Sequence, residues 1–93
     1  MKPLIMSAIP PENRCWLEID LAALRRNNRI IDSMCSKGCT PIAVVKANAY
    51  GLGAVRIAQE LERCGCRMLS TADLAEALEL RRAGIAAPIL LLG

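Results

Sequence analysis

The sequence predicts an α/β fold with a parallel sheet, in the order strand, helix, strand, helix, strand. Candidate strands at 42–45, 67–71 and 89–92 alternate with segments of helical periodicity, and successive parallel strands need such crossovers. The run 42–45 shows no alternation of polar and apolar residues, which is typical of a parallel strand buried on both faces. One Trp, one Tyr and no Phe leave an aliphatic core, which favours helices packed on a sheet.

The first part of the chain predicts one helix preceded by a short strand. Residues 1–13 carry three prolines and are predicted to be a loose leader. Alternation over 14–19 predicts a strand, and Asp20 is a good N-cap for a helix over 21–35 that ends before Gly38. The predicted apolar stripe of this helix consists of Leu21, Leu24, Ile31 and Met34.

Two further helices are delimited by caps and glycines. A glycine-containing turn at 48–53 leads into a second helix over 54–64. Asp73 and Glu76 have the spacing of a capping box for a third helix, which extends to Arg82. The glycines that end these two helices are Gly65 and Gly84.

This order of elements corresponds to the start of a larger structure. A third parallel strand has just ended at Gly93, whereas a closed barrel of alternating strands and helices needs about eight strands. Residues 14–93 are therefore interpreted as an incomplete N-terminal portion of a (β/α)8 barrel of TIM type, and we expect the chain to be truncated.

Composition excludes several classes of protein. Charged residues make up 23% and the net charge of +3 is interleaved along the chain, so a basic stripe for nucleic acid is absent. No run approaches the roughly 20 apolar residues of a membrane span. Without an export signal, we expect a cytoplasmic protein whose five cysteines are free thiols. The lack of His and the tight spacing of Cys64 and Cys66 argue against a metal site.

A lysine stands where the first strand of the predicted sheet ends. Lys46 follows the apolar run 42–45, and ligand sites of parallel α/β folds collect at the carboxyl ends of strands. Partial desolvation there would lower the pKa of the amine and let it attack a carbonyl as a neutral nucleophile. The alternative is a lysine that extends into solvent from a strand end.

A tyrosine and two glycines follow the lysine. The Tyr50 hydroxyl is suited to donate a hydrogen bond to a phosphate, and the alternative is a half-buried ring whose hydroxyl meets water. Gly51 and Gly53 precede a helix and could bring backbone amides close to an anion. Arg56 occupies the third glycine position of a dinucleotide motif, so that function is not indicated.

The segment Val44-Val-Lys-Ala-Asn-Ala-Tyr-Gly-Leu-Gly53 closely resembles the cofactor-lysine motif of alanine racemases, in which the lysine carries pyridoxal 5'-phosphate as an internal aldimine. The similarity covers roughly residues 14–93. Segment 16–21 resembles the family's N-terminal strand, 76–84 its second barrel helix and 88–93 its third barrel strand. The resemblance implies racemisation of L-alanine to D-alanine, for peptidoglycan precursors.

The resemblance also implies roles for individual residues. Lys46 would form the Schiff base and act as one of two acid–base groups at the substrate α-carbon. Tyr50 would bond the cofactor phosphate, and Leu92 would pack near the cofactor ring. The family's second base is a tyrosine from a C-terminal β-domain, contributed across a homodimer, so we expect this chain to be inactive alone.

The chain departs from the family pattern at two places, and other functions stay open. Leu52 stands where the family usually has His, and Ser70 and Thr71 replace an apolar pair in a layer of the barrel interior. Serine racemases would look the same over this stretch, and related decarboxylases share its Lys-Ala-Asn core. A non-catalytic pyridoxal-phosphate-binding module of the same fold group and an inert fragment are the remaining alternatives.

Overall fold

The computed structural model describes residues 17–93. The predicted leader at 1–13 and the start of the predicted strand at 14–19 lie outside the described residues. Within the part of that strand that is described, only Ile19 forms a β-bridge, and Leu17 is exposed.

The helix that follows begins where the sequence predicts. Helix α1 spans Leu21–Met34, and the Asp20 carboxylate caps it by accepting a hydrogen bond of 3.1 Å from the Ala23 N–H. The other elements are β1 (Ala43–Val44), α2 (Lys46–Tyr50), α3 (Ala54–Arg63), β2 (Leu69–Thr71), α4 (Leu74–Arg82) and β3 (Ile89–Leu91).

The three strands form one parallel sheet in the order β1-β2-β3. Ser70 at the middle of β2 pairs with Val44 of β1 and with Leu90 of β3. Each strand is joined to the next by a helical crossover, so the predicted α/β fold with parallel βαβαβ order is confirmed.

Helices α3 and α4 end at the predicted glycines. In α4 the Ile85 N–H donates to the Leu80 carbonyl over 3.1 Å, across Gly84, which has a φ of +92°. Gly65, with a φ of +91°, ends α3 in the same way. A side chain at either position would strain this left-handed backbone, so these glycines set the helix lengths.

The hydrophobic core lies between the helices and one face of the sheet. Leu69 of β2 is fully buried there, and Ala58 of α3 and Leu80 of α4 are almost completely buried. The remaining buried members of this cluster are Leu21, Val45, Ala49, Ala54, Ile57, Leu61 and Ile85. The core therefore fixes β2 and the end of β1 against α3 and α4.

The opposite face of the sheet, which carries Val44, Ser70 and Leu90, is called the open face. Val44 is 39% and Leu90 44% exposed, so the prediction that the first strand is buried on both faces is wrong for the described residues. The apolar stripe of α1 is also only partly right, because Ile31 and Met34 are exposed. Their half of α1 extends beyond the core that α3 and the sheet enclose.

Ser70 carries a buried hydroxyl without a hydrogen-bond partner among residues 17–93. We expect Ser70→Ala to raise the free energy of unfolding by about 1–2 kcal/mol, because an unsatisfied buried hydroxyl costs roughly that much. Thr71→Val is the contrasting variant. The Thr71 hydroxyl donates to the Asp73 carbonyl over 3.1 Å, and its loss is expected to lower stability by about 1 kcal/mol. Urea unfolding measures the free energy of unfolding of both variants. Equal changes in the two variants would contradict the assignment of Ser70 as the residue with the unsatisfied hydroxyl.

The described residues place few other constraints on function. No helix within 17–93 is long and apolar enough to cross a membrane. In the same range no group of three or more His, Cys, Asp or Glu side chains is arranged to hold a metal ion. The described cysteines, which are Cys35, Cys39, Cys64 and Cys66, are free thiols.

Candidate active site

Lys46 lies at the carboxyl end of β1, which is the rim of the sheet where the sequence predicts it. The Val45 N–H still donates to the Ser70 carbonyl over 2.8 Å, so Lys46 is the first residue beyond the paired part of the strand. Its side chain is exposed and has no hydrogen bond or ion pair to any residue of 17–93. The predicted partial desolvation of this amine is therefore not observed within residues 17–93.

Leu92 lies at the same rim of the sheet as Lys46. Leu92 directly follows β3 as Lys46 closely follows β1, and β1 and β3 are both parallel to β2. Side chains alternate along β3, so Leu92 lies on the same face as Leu90. The Leu92 N–H donates to the Thr71 carbonyl over 2.9 Å, which continues the register to Leu92. Two strand spacings separate the backbones of Lys46 and Leu92, a distance of about 10 Å.

The segment α2, which begins at Lys46, is a left-handed turn and not a right-handed helix. Ala47, Asn48, Ala49 and Tyr50 have φ angles of +52°, +55°, +54° and +56°, and Gly51 continues at +88°. A left-handed conformation costs on the order of 1–2 kcal/mol for each residue with a Cβ. Such strain persists only where surrounding contacts hold it, and it is found preferentially at functional sites.

Several contacts hold this turn. The Asn48 side-chain oxygen accepts from the Ala54 N–H over 2.8 Å and thereby caps α3, while Ala49 is buried in the core. The Glu76 carboxylate of α4 accepts from the Ala47 N–H over 2.8 Å. The turn is thus anchored to α3, to the core and to α4.

Tyr50 is placed at the far end of the left-handed turn. Its side chain is 63% exposed and contributes to an open, largely apolar groove of about 280 Å³ along the outer edge of β1. Leu52, at the position where a His was expected from the resemblance, contributes to the same groove and is 46% exposed.

The described groups with clearly shifted pKa values lie outside this rim. A hydrogen bond from Arg25 lowers the pKa of Glu60 in α3, and burial raises the pKa of the Cys64 thiol at the end of that helix. The rim itself carries an exposed amine and an apolar side chain, and a phenol lies beyond the turn that follows the amine. This set can bind a carbonyl compound covalently and an anion by hydrogen bonding.

The structure brings Lys46 and Leu92 to one rim of the sheet, with Tyr50 beyond the turn. Two contributors were missed by the sequence analysis. Asn48 was treated only as part of a turn, and Glu76 only as half of a capping box. The Asp73 half of that box is present, since its Oδ1 accepts from the Glu76 N–H over 2.9 Å. The Glu76 side chain instead reaches Ala47, a contact between positions 29 residues apart for which the local sequence carries no signal.

Comparison with known proteins identifies relatives over most of the chain. A model of the family described as "Alanine racemase, N-terminal domain" matches residues 19–93. An alanine racemase of Synechocystis sp. is 52% identical over 80 residues, which cover 86% of this chain and 22% of the relative. The chain spans about a fifth of the length of the curated relatives that it matches.

Solved structures agree with the sequence comparison. An alanine racemase of Clostridium difficile 630 superposes with a TM-score of 0.75 at 42% identity, covering 78% of this chain and 20% of that one. An alanine racemase from Bartonella henselae with covalently bound pyridoxal phosphate gives a TM-score of 0.67 at 39% identity, covering 77% of this chain and 21% of that one. The predicted fold, a TIM-type barrel of which these residues form the N-terminal portion, is therefore supported by experimental structures.

Proposed function

Because the chain belongs to the alanine racemase N-terminal domain family, we propose that it holds pyridoxal phosphate through Lys46 in an enzyme that interconverts L- and D-alanine. The observation that carries this proposal is the position of Lys46. An exposed amine at the carboxyl end of a parallel strand precedes a strained left-handed turn that three separate contacts hold in place. D-alanine made in this way would supply peptidoglycan precursors in the cytoplasm.

The residues at this rim fit the cofactor. Lys46 presents an amine to the aldehyde, and the exposed Tyr50 hydroxyl is available to the phosphate. Leu92 and Leu90 offer an apolar wall on the open face for the ring. A relative with covalently bound pyridoxal phosphate supports the choice of this cofactor.

The chain's own residues have defined tasks in this function. Lys46 would hold the cofactor through its amine. When bound, pyridoxal phosphate would supply a conjugated ring that withdraws electrons from the substrate α-carbon. The Lys46 amine, when it is not engaged with the cofactor, would take or return the α-proton on one face.

Racemisation needs a second acid–base group on the other face of the α-carbon. The family resemblance assigns this second role to a tyrosine, and the one Tyr of the sequence, Tyr50, is proposed for the phosphate. We therefore propose that the second group comes from a residue outside this sequence, in keeping with a homodimeric enzyme whose active site is shared between protomers.

Hydrogen exchange without racemisation is the expected activity of this chain. Loaded with pyridoxal phosphate in D2O, it should exchange the α-hydrogen of L-alanine above the rate of cofactor alone. D-alanine should form at least about 100-fold more slowly, because one acid–base group contributes roughly that factor. Proton NMR measures the exchange, and chiral chromatography measures the D-alanine.

Two outcomes would contradict parts of this proposal. D-alanine formed at the rate of exchange would place a second acid–base group within this chain. Cofactor bound to Lys46 without any exchange above the background of free cofactor would favour the alternative, a non-catalytic cofactor-binding module.

A further inference from the structure

Glu76 joins two strand ends at the rim that carries Lys46. One carboxylate oxygen accepts from the Ala47 N–H over 2.8 Å, and the other accepts from the Ala72 N–H over 2.7 Å. Ala47 directly follows Lys46, and Ala72 directly follows the last residue of β2. One side chain thus ties the residue after the lysine to the neighbouring strand.

Glu76 is itself held firmly in the first turn of α4. Its backbone N–H donates to the Asp73 Oδ1 over 2.9 Å, and Ala77 and Leu80 of the same helix are buried in the core. A carboxylate in the first turn also interacts favourably with the positive end of the helix dipole. The acceptor for Ala47 is therefore fixed by the packing of α4 against the sheet.

The hydrogen bond to Ala47 restrains the backbone at Lys46. The peptide between Lys46 and Ala47 is planar, so holding the Ala47 N–H in one direction fixes the ψ angle of Lys46. The same hydrogen bond stabilises the first residue of the left-handed turn, where φ is +52°. Without it, the strained turn has one fewer contact to keep it in place.

Capping of α4 does not explain this arrangement. In a capping box, the glutamate at this position accepts from the backbone N–H of the cap residue, here Asp73. Glu76 accepts from Ala47 and Ala72 instead. The contact therefore serves the rim of the sheet.

We propose that Glu76 is a positioning residue, which fixes the backbone at Lys46, and thereby the direction of its Cα–Cβ bond, by holding the Lys46–Ala47 peptide against the end of β2. This inference rests on the proposed function for what Lys46 binds. The orientation itself is a property of the chain without cofactor, so it can be measured separately.

Glu62 provides a matched control. It is half-buried like Glu76, and its carboxylate also accepts two backbone hydrogen bonds, from the Ala86 N–H over 2.8 Å and the Ala87 N–H over 2.7 Å. Those amides precede β3, at the opposite rim of the sheet. Glu76→Ala and Glu62→Ala therefore remove equivalent interactions at the two rims.

The experiment compares both variants with and without pyridoxal phosphate. Without cofactor, Glu76→Ala should shift the backbone resonances of Lys46 and Ala47 and speed amide exchange at Ala47 about tenfold, whereas Glu62→Ala should change neither. With cofactor, the Kd for attachment of pyridoxal phosphate to Lys46 should rise about tenfold in Glu76→Ala and stay unchanged in Glu62→Ala. Glu76→Gln keeps one carbonyl acceptor and should recover part of the loss.

The outcomes separate the two proposals. Unchanged Lys46 and Ala47 resonances in Glu76→Ala, or equal weakening of attachment in Glu62→Ala, would overturn the positioning role. If Glu76→Ala does not fold, Glu76→Met, which keeps the length of the side chain but has no oxygen acceptor, replaces it, and wild-type resonances and cofactor attachment in that variant would overturn the positioning role. If wild-type chain never attaches cofactor at Lys46, the proposed function fails, and the cofactor-free resonances still decide the role of Glu76.

Discussion

A Lys46→Ala variant, mixed with the same concentration of pyridoxal phosphate as the wild-type chain, is expected to exchange the alanine α-hydrogen at least about 100-fold more slowly. The side chain is proposed to bind the cofactor and to move the α-proton, and a single positioned acid–base group contributes on the order of 10²–10⁴ to a rate. The measurement is the loss of the α-proton signal of L-alanine in D2O, after subtraction of the rate with free cofactor.

Lys37→Ala is the control for this result. Lys37 is exposed, as Lys46 is, and lies in the loop between α1 and β1, away from the carboxyl rim of the sheet. Its replacement should leave the exchange rate unchanged. Wild-type exchange in Lys46→Ala would show that another amine of the chain does this chemistry.

An Arg25→Met variant is expected to lower the free energy of unfolding by about 3 kcal/mol. The Arg25 guanidinium of α1 contacts the Glu60 carboxylate of α3 over 2.7 Å, and the Glu60 side chain is only 1% exposed. Removing one partner of a buried pair leaves a buried charge poorly compensated, which costs roughly 3–5 kcal/mol. The lower end of this energy range applies because the Arg25 side chain is 32% exposed and the Arg63 guanidinium stays within 3.4 Å of the Glu60 carboxylate.

Arg63→Met is the matched variant for this prediction. The Arg63 side chain is 68% exposed, so its longer contact with Glu60 should contribute less than about 1 kcal/mol. Urea unfolding monitored by circular dichroism compares the two variants. Equal destabilisation by both would contradict the dominant role of Arg25.

The same pair makes stability depend on pH. The hydrogen bond from Arg25 holds the pKa of Glu60 below its ordinary range, although burial acts in the opposite direction. The unfolded chain therefore binds a proton at higher pH than the folded chain does. Stability from this group is complete above about pH 4.3, the ordinary glutamate value, and is lost as the pH falls through the lower folded pKa. The loss of stability at low pH should be smaller in the Arg25→Met variant than in the wild-type chain.

The fold could be predicted because its signals are local. Asp20 and Asp73 cap α1 and α4 as their positions before apolar segments indicate, and Gly65 and Gly84 end α3 and α4. These features depend on neighbouring residues only, so the sequence determines them without knowledge of the tertiary structure.

The details of the site depend on contacts distant in sequence and could not be predicted in the same way. Among the four described non-glycine residues with left-handed backbone, only Asn48 belongs to a type that readily adopts that conformation. Ala47 adopts it with the help of Glu76, 29 residues away. The open-face exposure of Val44 likewise depends on what covers the sheet, which a short apolar run does not specify.

Peptide mapping of the attached cofactor tests the central claim most directly. The chain has three lysines, Lys2, Lys37 and Lys46, so each can be assigned separately. The chain is mixed with equimolar pyridoxal phosphate, reduced with borohydride, digested and analysed by mass spectrometry. We predict that the added mass is found overwhelmingly on the peptide with Lys46. Equal labelling of the three lysines, or labelling that spares Lys46, would contradict the proposed site.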